Sequence, residues 1–221
     1  NRSIAVGKDA VSSGIYAVAI GVNTDALNFY GTALGYKAQT ASSGYATALT
    51  NSRASGSNSF AAAIANNTSS YGATGANSIA MGYQAKATGT GAVSIGYLAQ
   101  NTGSYSVALG YGTASAQGAV TIGGNLPASA SGTNSIAAGA FTFASAEKSV
   151  SLGAYAKSNI INKFAFGSGI ADQQGGYFIL RSDTTDATAE ALTTNNSTAG
   201  TTNQIILPNN SAYSFSGTII A

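Results

Sequence analysis

The most regular feature of the chain is a short phrase in which two larger apolar residues flank a small one and a glycine closes the group. Ser3-Ile4-Ala5-Val6-Gly7 returns as Ala17-Val18-Ala19-Ile20-Gly21 and as Gly31-Thr32-Ala33-Leu34-Gly35. After two copies that close on Thr50 and Ala65, it continues as Ser78-Ile79-Ala80-Met81-Gly82, Ala92-Val93-Ser94-Ile95-Gly96, Ser106-Val107-Ala108-Leu109-Gly110 and Ala119-Val120-Thr121-Ile122-Gly123. The last copies are Ser135-Ile136-Ala137-Ala138-Gly139, Ser149-Val150-Ser151-Leu152-Gly153 and Lys163-Phe164-Ala165-Phe166-Gly167. Within a phrase the alternation has period two: Ile4 and Val6 share one face of a strand, and Ala5 points to the other. A second half follows, as in Tyr83-Gln84-Ala85-Lys86-Ala87-Thr88-Gly89, where small Ala alternates with polar residues. Each unit therefore predicts strand, turn, strand, turn, with glycine at the corners. A helix needs apolar residues at i, i+3, i+4 and i+7, and its interior glycines would cost about 1 kcal/mol each.

Closing positions recur about every 14 residues, too short for an independent domain and suited to one coil of a parallel β-solenoid. Coils stack at about 4.8 Å, so a dozen give a rod of roughly 55–60 Å. Stacking sets Ala5 beneath Ala19 and Ala33, in an interior too narrow for Leu. The larger Ile, Val and Leu then emerge on another face as a continuous apolar stripe, on the order of 1,000 Å². That stripe calls for a partner, and identical rods packed about a common axis supply one. Asn23 to Gly31 and Asn66 to Gly75 read as enlarged turns, and the coils lose regularity near residues 45–75. From about Ile170 the period is lost, and Tyr177–Arg181, Gln204–Leu207 and Ala212–Ile220 read as strands between Thr/Asn-rich loops with Pro208 as a turn marker. The chain is thus all-β: a solenoid shaft over residues 1–169 and a small C-terminal β module over 170–221. It opens in mid-phrase and reads as a fragment.

Composition supports repetition and self-association as the sources of burial. Only 7% of residues are charged, against roughly 25% in ordinary globular domains, and most of the apolar content is Ala. With no Cys and no His, disulfides, thiolate chemistry, imidazole ligands and a Ser-His-Asp triad are all excluded. The basic residues stand singly, which gives no phosphate-tracking surface and no nucleic-acid partner. No apolar run approaches the roughly 20 residues of a membrane span.

The phrase Asn77-Ser78-Ile79-Ala80-Met81-Gly82 with Ala85, Ala87 and Gly89, and Asn134-Ser135-Ile136-Ala137, resembles the head repeats of YadA-type trimeric autotransporter adhesins. That resemblance implies a left-handed parallel β-roll, a homotrimer, and binding to a host cell-surface glycan or protein receptor. The segments Leu180 to Thr188 and Thr202 to Tyr213 resemble a module of bacteriophage tail-fibre proteins. They imply a virion tail fibre with other tail proteins as partners; a bacterial surface adhesin is the alternative.

Glycoside hydrolysis, the reaction of a depolymerase fibre, needs paired carboxylates about 5–10 Å apart. Asp9, Asp25, Glu147, Asp172, Asp183, Asp186 and Glu190 form no such pair by position, so no catalytic residue, no metal site and no cofactor is expected. Calcium loops are absent as motifs, and Thr24, Thr40, Thr88, Thr102 and Thr113 hold no single column of an ice-binding face. The Asn-x-Ser/Thr triplets at Asn66 and Asn195 match an N-glycosylation pattern. The remaining candidates are aromatic. Tyr36, Tyr83, Tyr97 and Tyr111 directly follow a closing residue, which predicts a tyrosine column of structural character. Phe29, Tyr30 and Tyr71 fall in the irregular turns and are the candidate receptor-binding residues.

Overall fold

The computed structural model describes residues 2–41, 44–65, 70–169, 174–183, 186–206, 212 and 214–218. Among them the only regular secondary structure is β-strand. Strands of three residues alternate along the chain with strands of two or three, and the alternate members join separate sheets of thirteen and eleven strands. The first sheet begins at Ile4–Val6 and the second at Val11–Ser12. Every neighbour pair is parallel except the last of the first sheet. The chain is a β-solenoid of short coils, and the phrase read in the sequence is its first-sheet strand.

Register makes the coil length explicit. Ile4 pairs with Val18, and Val18 with Thr32; Ile79 pairs with Val93, and Val93 with Val107. Asn23 to Gly31 is not an enlarged turn. Asp25–Ala26 is a regular second-sheet strand, in register with Val11–Ser12 and Gln39–Thr40. The stretch looked irregular because Asn28 holds the corner that Gly14 holds one coil earlier, each accepting at its carbonyl from the residue three on. Enlargement is real in the second case: Phe60 pairs with Ile79, and Ala54 with Ala73, so this coil holds five residues more than the 14 of its neighbours. Residues 66–69 of that turn lie outside the described set. The ladder still runs unbroken through residues 45–75, because the extra residues leave by the turn rather than the sheet.

The interior is two columns of small side chains facing each other. Ala19, Ala33, Ala48, Ala61, Ala80, Ser94, Ala108, Thr121 and Ala137 fill the first-sheet column, all fully buried. Ala26, Thr40, Ala54, Ala73, Ala87, Asn101, Ala114, Ala130 and Ala144 fill the second. The buried serine hydroxyls are tied to nearby carbonyls, whereas Thr40 Oγ1 and Thr121 Oγ1 are buried with no hydrogen-bond partner among the described residues. Ser59 Oγ donates to Gly56 O at 2.7 Å, Ser78 Oγ to Gly75 O at 2.6 Å and Ser149 Oγ to Ala146 O at 2.7 Å. These bonds close the corners that lead into their own first-sheet strands, which explains the Ser at the start of those phrases. Asn101 is accommodated the same way, its Nδ2 donating to Ser106 O at 2.7 Å and to Val93 O at 3.2 Å.

The C-terminal end of the first sheet is capped. Gln174–Tyr177 pairs antiparallel with Phe164–Gly167, and the Phe166 ring lies over Gly175, where a Cβ would fall 2.4 Å from a ring atom. A ring covering a glycine on an added edge strand is a recognised way to hold such an edge. The strand therefore ends at Tyr177 rather than starting there: among the described residues Phe178–Leu180 have no ladder partner, and Arg181 makes a single bridge to Thr193. Gln204–Ile206, Ala212 and residues 214–218 are not strand; Leu207, Pro208 and the rest of the expected strands lie outside the described residues. Side chains replace the ladder in this Asn/Thr-rich stretch. Asn203 Nδ2 donates to Thr198 O at 3.0 Å and Asn195 Oδ1 at 2.9 Å, the local competition that keeps such residues out of sheets. The segment docks on the last coil through Ile161 N to Thr202 O and Asn162 Nδ2 to Thr194 O, both 2.8 Å.

Candidate binding surfaces

The outward face of the first sheet carries two apolar columns. One runs Ile4, Val18, Thr32, Thr47, Phe60, Ile79, Val93, Val107, Val120, Ile136, Val150 and Phe164. The other runs Val6, Ile20, Leu34 and Leu49, then Ala62, Met81, Ile95, Leu109, Ile122, Ala138, Leu152 and Phe166. Ile20, Met81, Ile95, Ile122 and Phe166 are among the large side chains left exposed. The outward column of the second sheet is mostly polar: Asp25, Gln39, Arg53, Lys86, Gln100, Thr113, Ser129 and Lys157 belong to it, interrupted by Val11, Gly72 and Phe143, with Gln39 Nε2 bonded to Asp25 Oδ2 at 3.0 Å. One side of the rod is built for water and the other is not.

The tyrosines of the shaft lie at the corners of the coils. The corner entering the first-sheet strand needs one residue in the left-handed region, and Tyr16, Tyr30, Asn58, Asn77, Tyr105, Asn134 and Asn162 supply it at φ of 53–60°. Coil-to-coil bonds stack these positions, as in Tyr30 N to Ile15 O at 3.0 Å and Tyr45 N to Phe29 O at 2.9 Å. The rings follow: Tyr16 and Tyr30 stack at 5.2 Å, and Tyr30 and Tyr45 at 4.9 Å with planes 1° apart. Sequence reasoning assigned positive φ to the corner glycines and missed this ladder. Its signal was a Tyr directly before the small residue that opens a phrase, at Tyr16-Ala17 and Tyr45-Ala46.

The predicted column after the closing residue forms in part. Tyr83 and Tyr97 stack at 5.5 Å, while Tyr111 meets Tyr97 edge-on, 6.1 Å away and at 85°. The turn after Leu109 is one residue short, since Val107 to Thr113 spans what Val93 to Gln100 does with one more. Tyr36 does not join. The turn after Leu49 is short in the same way, so the position above Tyr36 is deleted, and Tyr36 instead carries Lys37 Nζ at 5.2 Å from its ring centroid. Of the candidate receptor residues, Phe29 is 57% exposed and Tyr30 lies beside it in the middle of the three-ring stack. Tyr71 is elsewhere: it is half-buried against the alanine core of the enlarged coil, which also encloses Ile64, the largest fully buried side chain.

The shaft carboxylates occupy different elements, whereas Asp183 and Glu190 line one shallow depression beyond it, where Ser182 Oγ donates to Glu190 Oε2 at 2.8 Å. Asp9 occupies a left-handed corner, Asp25 lies on the second-sheet face, and Glu147 pairs with neighbouring Lys148 at 2.8 Å. Asp183 is held by both nitrogens of an Arg181 fork, at 2.7 and 3.1 Å, and by Asn196, which keeps its carboxyl below the usual range. Asp186 is lowered by its bond from Thr188. Asp172 and Asn66 lie outside the described residues. Among those described, no group of three or more His, Cys, Asp or Glu side chains is placed to hold a metal ion, and no helix is long and apolar enough to cross a membrane.

The architecture and the phrase agree with a family comparison: the family model described as YadA head domain repeat matches residues 1–24, 73–99 and 130–156. Those stretches are YadA-like head repeats. Among curated proteins compared with it, none matches. Each matched YadA stretch includes a complete first-sheet strand with its left-handed Asn or Tyr corner and its closing glycine, as at Tyr16 to Gly21, Asn77 to Gly82 and Asn134 to Gly139. The unmatched stretch between residues 24 and 73 contains both the short turn after Leu49 and the enlarged coil. The YadA repeat pattern thus weakens where coil length departs from its norm, although the ladder does not.

Proposed function

We propose that this chain is an adhesive segment of a homotrimeric fibre that attaches to a host or matrix surface and performs no catalysis. The observation that carries the reading is the contrast between the two outer faces of the rod. A double apolar column runs the length of the first sheet, whereas polar and charged residues dominate the second. A monomer rarely exposes so long an apolar patch, and copies related by a cyclic axis cover it while leaving the polar face and the corners free. The likeness to YadA head repeats supports a threefold number and an adhesive role. The exposed aromatic corner around Phe29 and Tyr30 is the surface offered to a glycan or protein receptor, since rings with a hydroxyl tip suit sugar faces and hydroxyls alike.

A bacterial outer surface is the setting this reading favours. A phage tail fibre is the second reading, carried by the resemblance of Leu180 to Thr188 and Thr202 to Tyr213 to a tail-fibre module; other tail proteins would then join the assembly. Native mass tests the architecture, with three chains expected and a folded monomer as the adverse result. Attachment of the labelled fibre to candidate host cells tests the role. Phe29→Ala with Tyr30→Asn should lower attachment at least fivefold, and Tyr97→Ala with Tyr111→Ala should leave it within twofold. Release of reducing ends from host polysaccharide would overturn the non-catalytic assignment.

A further inference from the structure

In most coils the second outward column of the first sheet carries the larger residue. Val18 accompanies Ile20, Val93 accompanies Ile95, Val107 accompanies Leu109 and Val150 accompanies Leu152. Ile4 with Val6 and Ile136 with Ala138 reverse the order, and one coil reverses it with an aromatic ring: Phe60 stands in the first column and Ala62 in the second. No other aromatic residue occurs in either column before Phe164 and Phe166 at the far end. Beside Ala62 the surface falls into an open apolar depression of about 500 Å³, lined by Leu49, Thr50, Asn51, Ala62, Ala63 and Ala65. Its depth has two causes. The second-column residue is a methyl, and the short turn after Leu49 removes the residue that would stand where Tyr36 stands one coil earlier.

We propose that Phe60 of one copy seats in this depression on the next copy and sets the axial register of the assembly. The proposal rests on the cyclic self-association argued above and adds a contact to it. Rotation about an axis parallel to the rods turns the first column of each copy toward the second column of its neighbour, and it brings like coils to the same height. Phe60 then faces Ala62 of the next copy. Between Ile4 and Val150 every first-column residue other than Phe60 is Val, Ile or Thr, so a slip of one coil, about 4.8 Å, would cost those positions little. At the Phe60 coil the same slip drives the ring against Leu49 or Met81, both large. Overpacking of that kind is disfavoured, so one knob and one notch select a single register, as a repulsive element must.

The chain has no Cys, so single thiols report without background. Phe60→Cys chains co-expressed with Ala62→Cys chains should be joined by a short bismaleimide, spanning about the 10 Å between packed sheets. The same reagent should join Phe60→Cys to Met81→Cys, one coil out of register, at least threefold less, as read from the masses of linked peptides. Native mass is recorded on the same samples. An oligomer that links the out-of-register pair as well or better overturns the register contact and leaves the fibre reading standing. A monomer overturns both. Independently, Phe60→Ala and Ala62→Phe should each lower the midpoint of oligomer dissociation, and the double exchange should restore it, because ring and methyl then face each other from reversed sides. A double exchange no better than the single variants counts against the contact.

Discussion

Ala33 pairs with Ala19 across the parallel ladder, and both side chains are fully buried in a column where nothing exceeds threonine. Each such methyl contributes little burial by itself, about 0.8 kcal/mol on the usual scale. The column instead sets the separation of the two sheets. Leu at position 33 would have to push the second sheet away over neighbouring coils as well as its own. Ala33→Leu is predicted to cost about 1–3 kcal/mol or more, while Leu34→Ala, one residue on and facing outward, costs the isolated coil much less. Denaturant midpoints of the two variants in the dissociated chain check the order; equal losses would show that the interior is not narrow.

The glycines closing each phrase make a second, sharper test. Gly21 has φ +142°, and a Cβ there would stand 2.2 Å from the carbonyl oxygen of Gly35 on the next coil. Gly124 has nothing within 4 Å of that position. Gly21→Ala should therefore destabilise by at least about 1 kcal/mol, and Gly124→Ala should change the thermal midpoint little. The comparison isolates coil-to-coil approach from the general effect of losing a glycine.

These positions also show how far the fold was legible. The alternation Ile4-Ala5-Val6 identified inward and outward faces because strand periodicity is strict and the interior admits only small residues. Coil length was readable wherever each turn kept its residue count. At Thr50 and Tyr111 one residue is missing from the turn, and such a deletion is invisible to a pattern read from the strands. That is why Tyr36 was placed in a column it does not enter. The Tyr16, Tyr30, Tyr45 stack was missed for another reason: tyrosine is uncommon at positive φ, so nothing in its residue type announced the corner. Beyond Ile170 the strand assignments failed because Asn and Thr side chains there bond to local backbone, a competition that apolar alternation does not register.

Lys163 gives a pH-dependent prediction. It takes the interior corner position that Ser135 and Ser149 hold in the preceding coils, is buried, and donates to Lys157 O at 3.0 Å. Burial lowers its pKa below the usual lysine value. The folded chain therefore holds its proton less firmly than the unfolded chain, and stability is penalised at neutral pH. The penalty lifts as pH rises from the lowered folded value toward the unfolded 10.5. Lys163→Ser should be more stable than the parent near pH 7, with the advantage shrinking as pH approaches 10. An advantage independent of pH would assign the effect to packing alone.

The apolar face supplies the last prediction. Ile95 and Leu109 are paired in register and point outward from the first sheet, so they contribute to the face but not to the interior columns. Ile95→Glu with Leu109→Glu places like charges on adjacent coils, and an apolar interface has no counter-charge for them. Removing charged groups from water without a partner costs several kcal/mol each, enough to separate the copies. The mirror pair Lys86→Glu with Gln100→Glu puts the same charge on the second-sheet face, where Lys86 and Gln100 are likewise paired in register. The first double variant should shift the native mass to that of single chains, and the second should leave the assembly intact. Equal sensitivity of the two faces would mean that the chains do not meet along the first sheet.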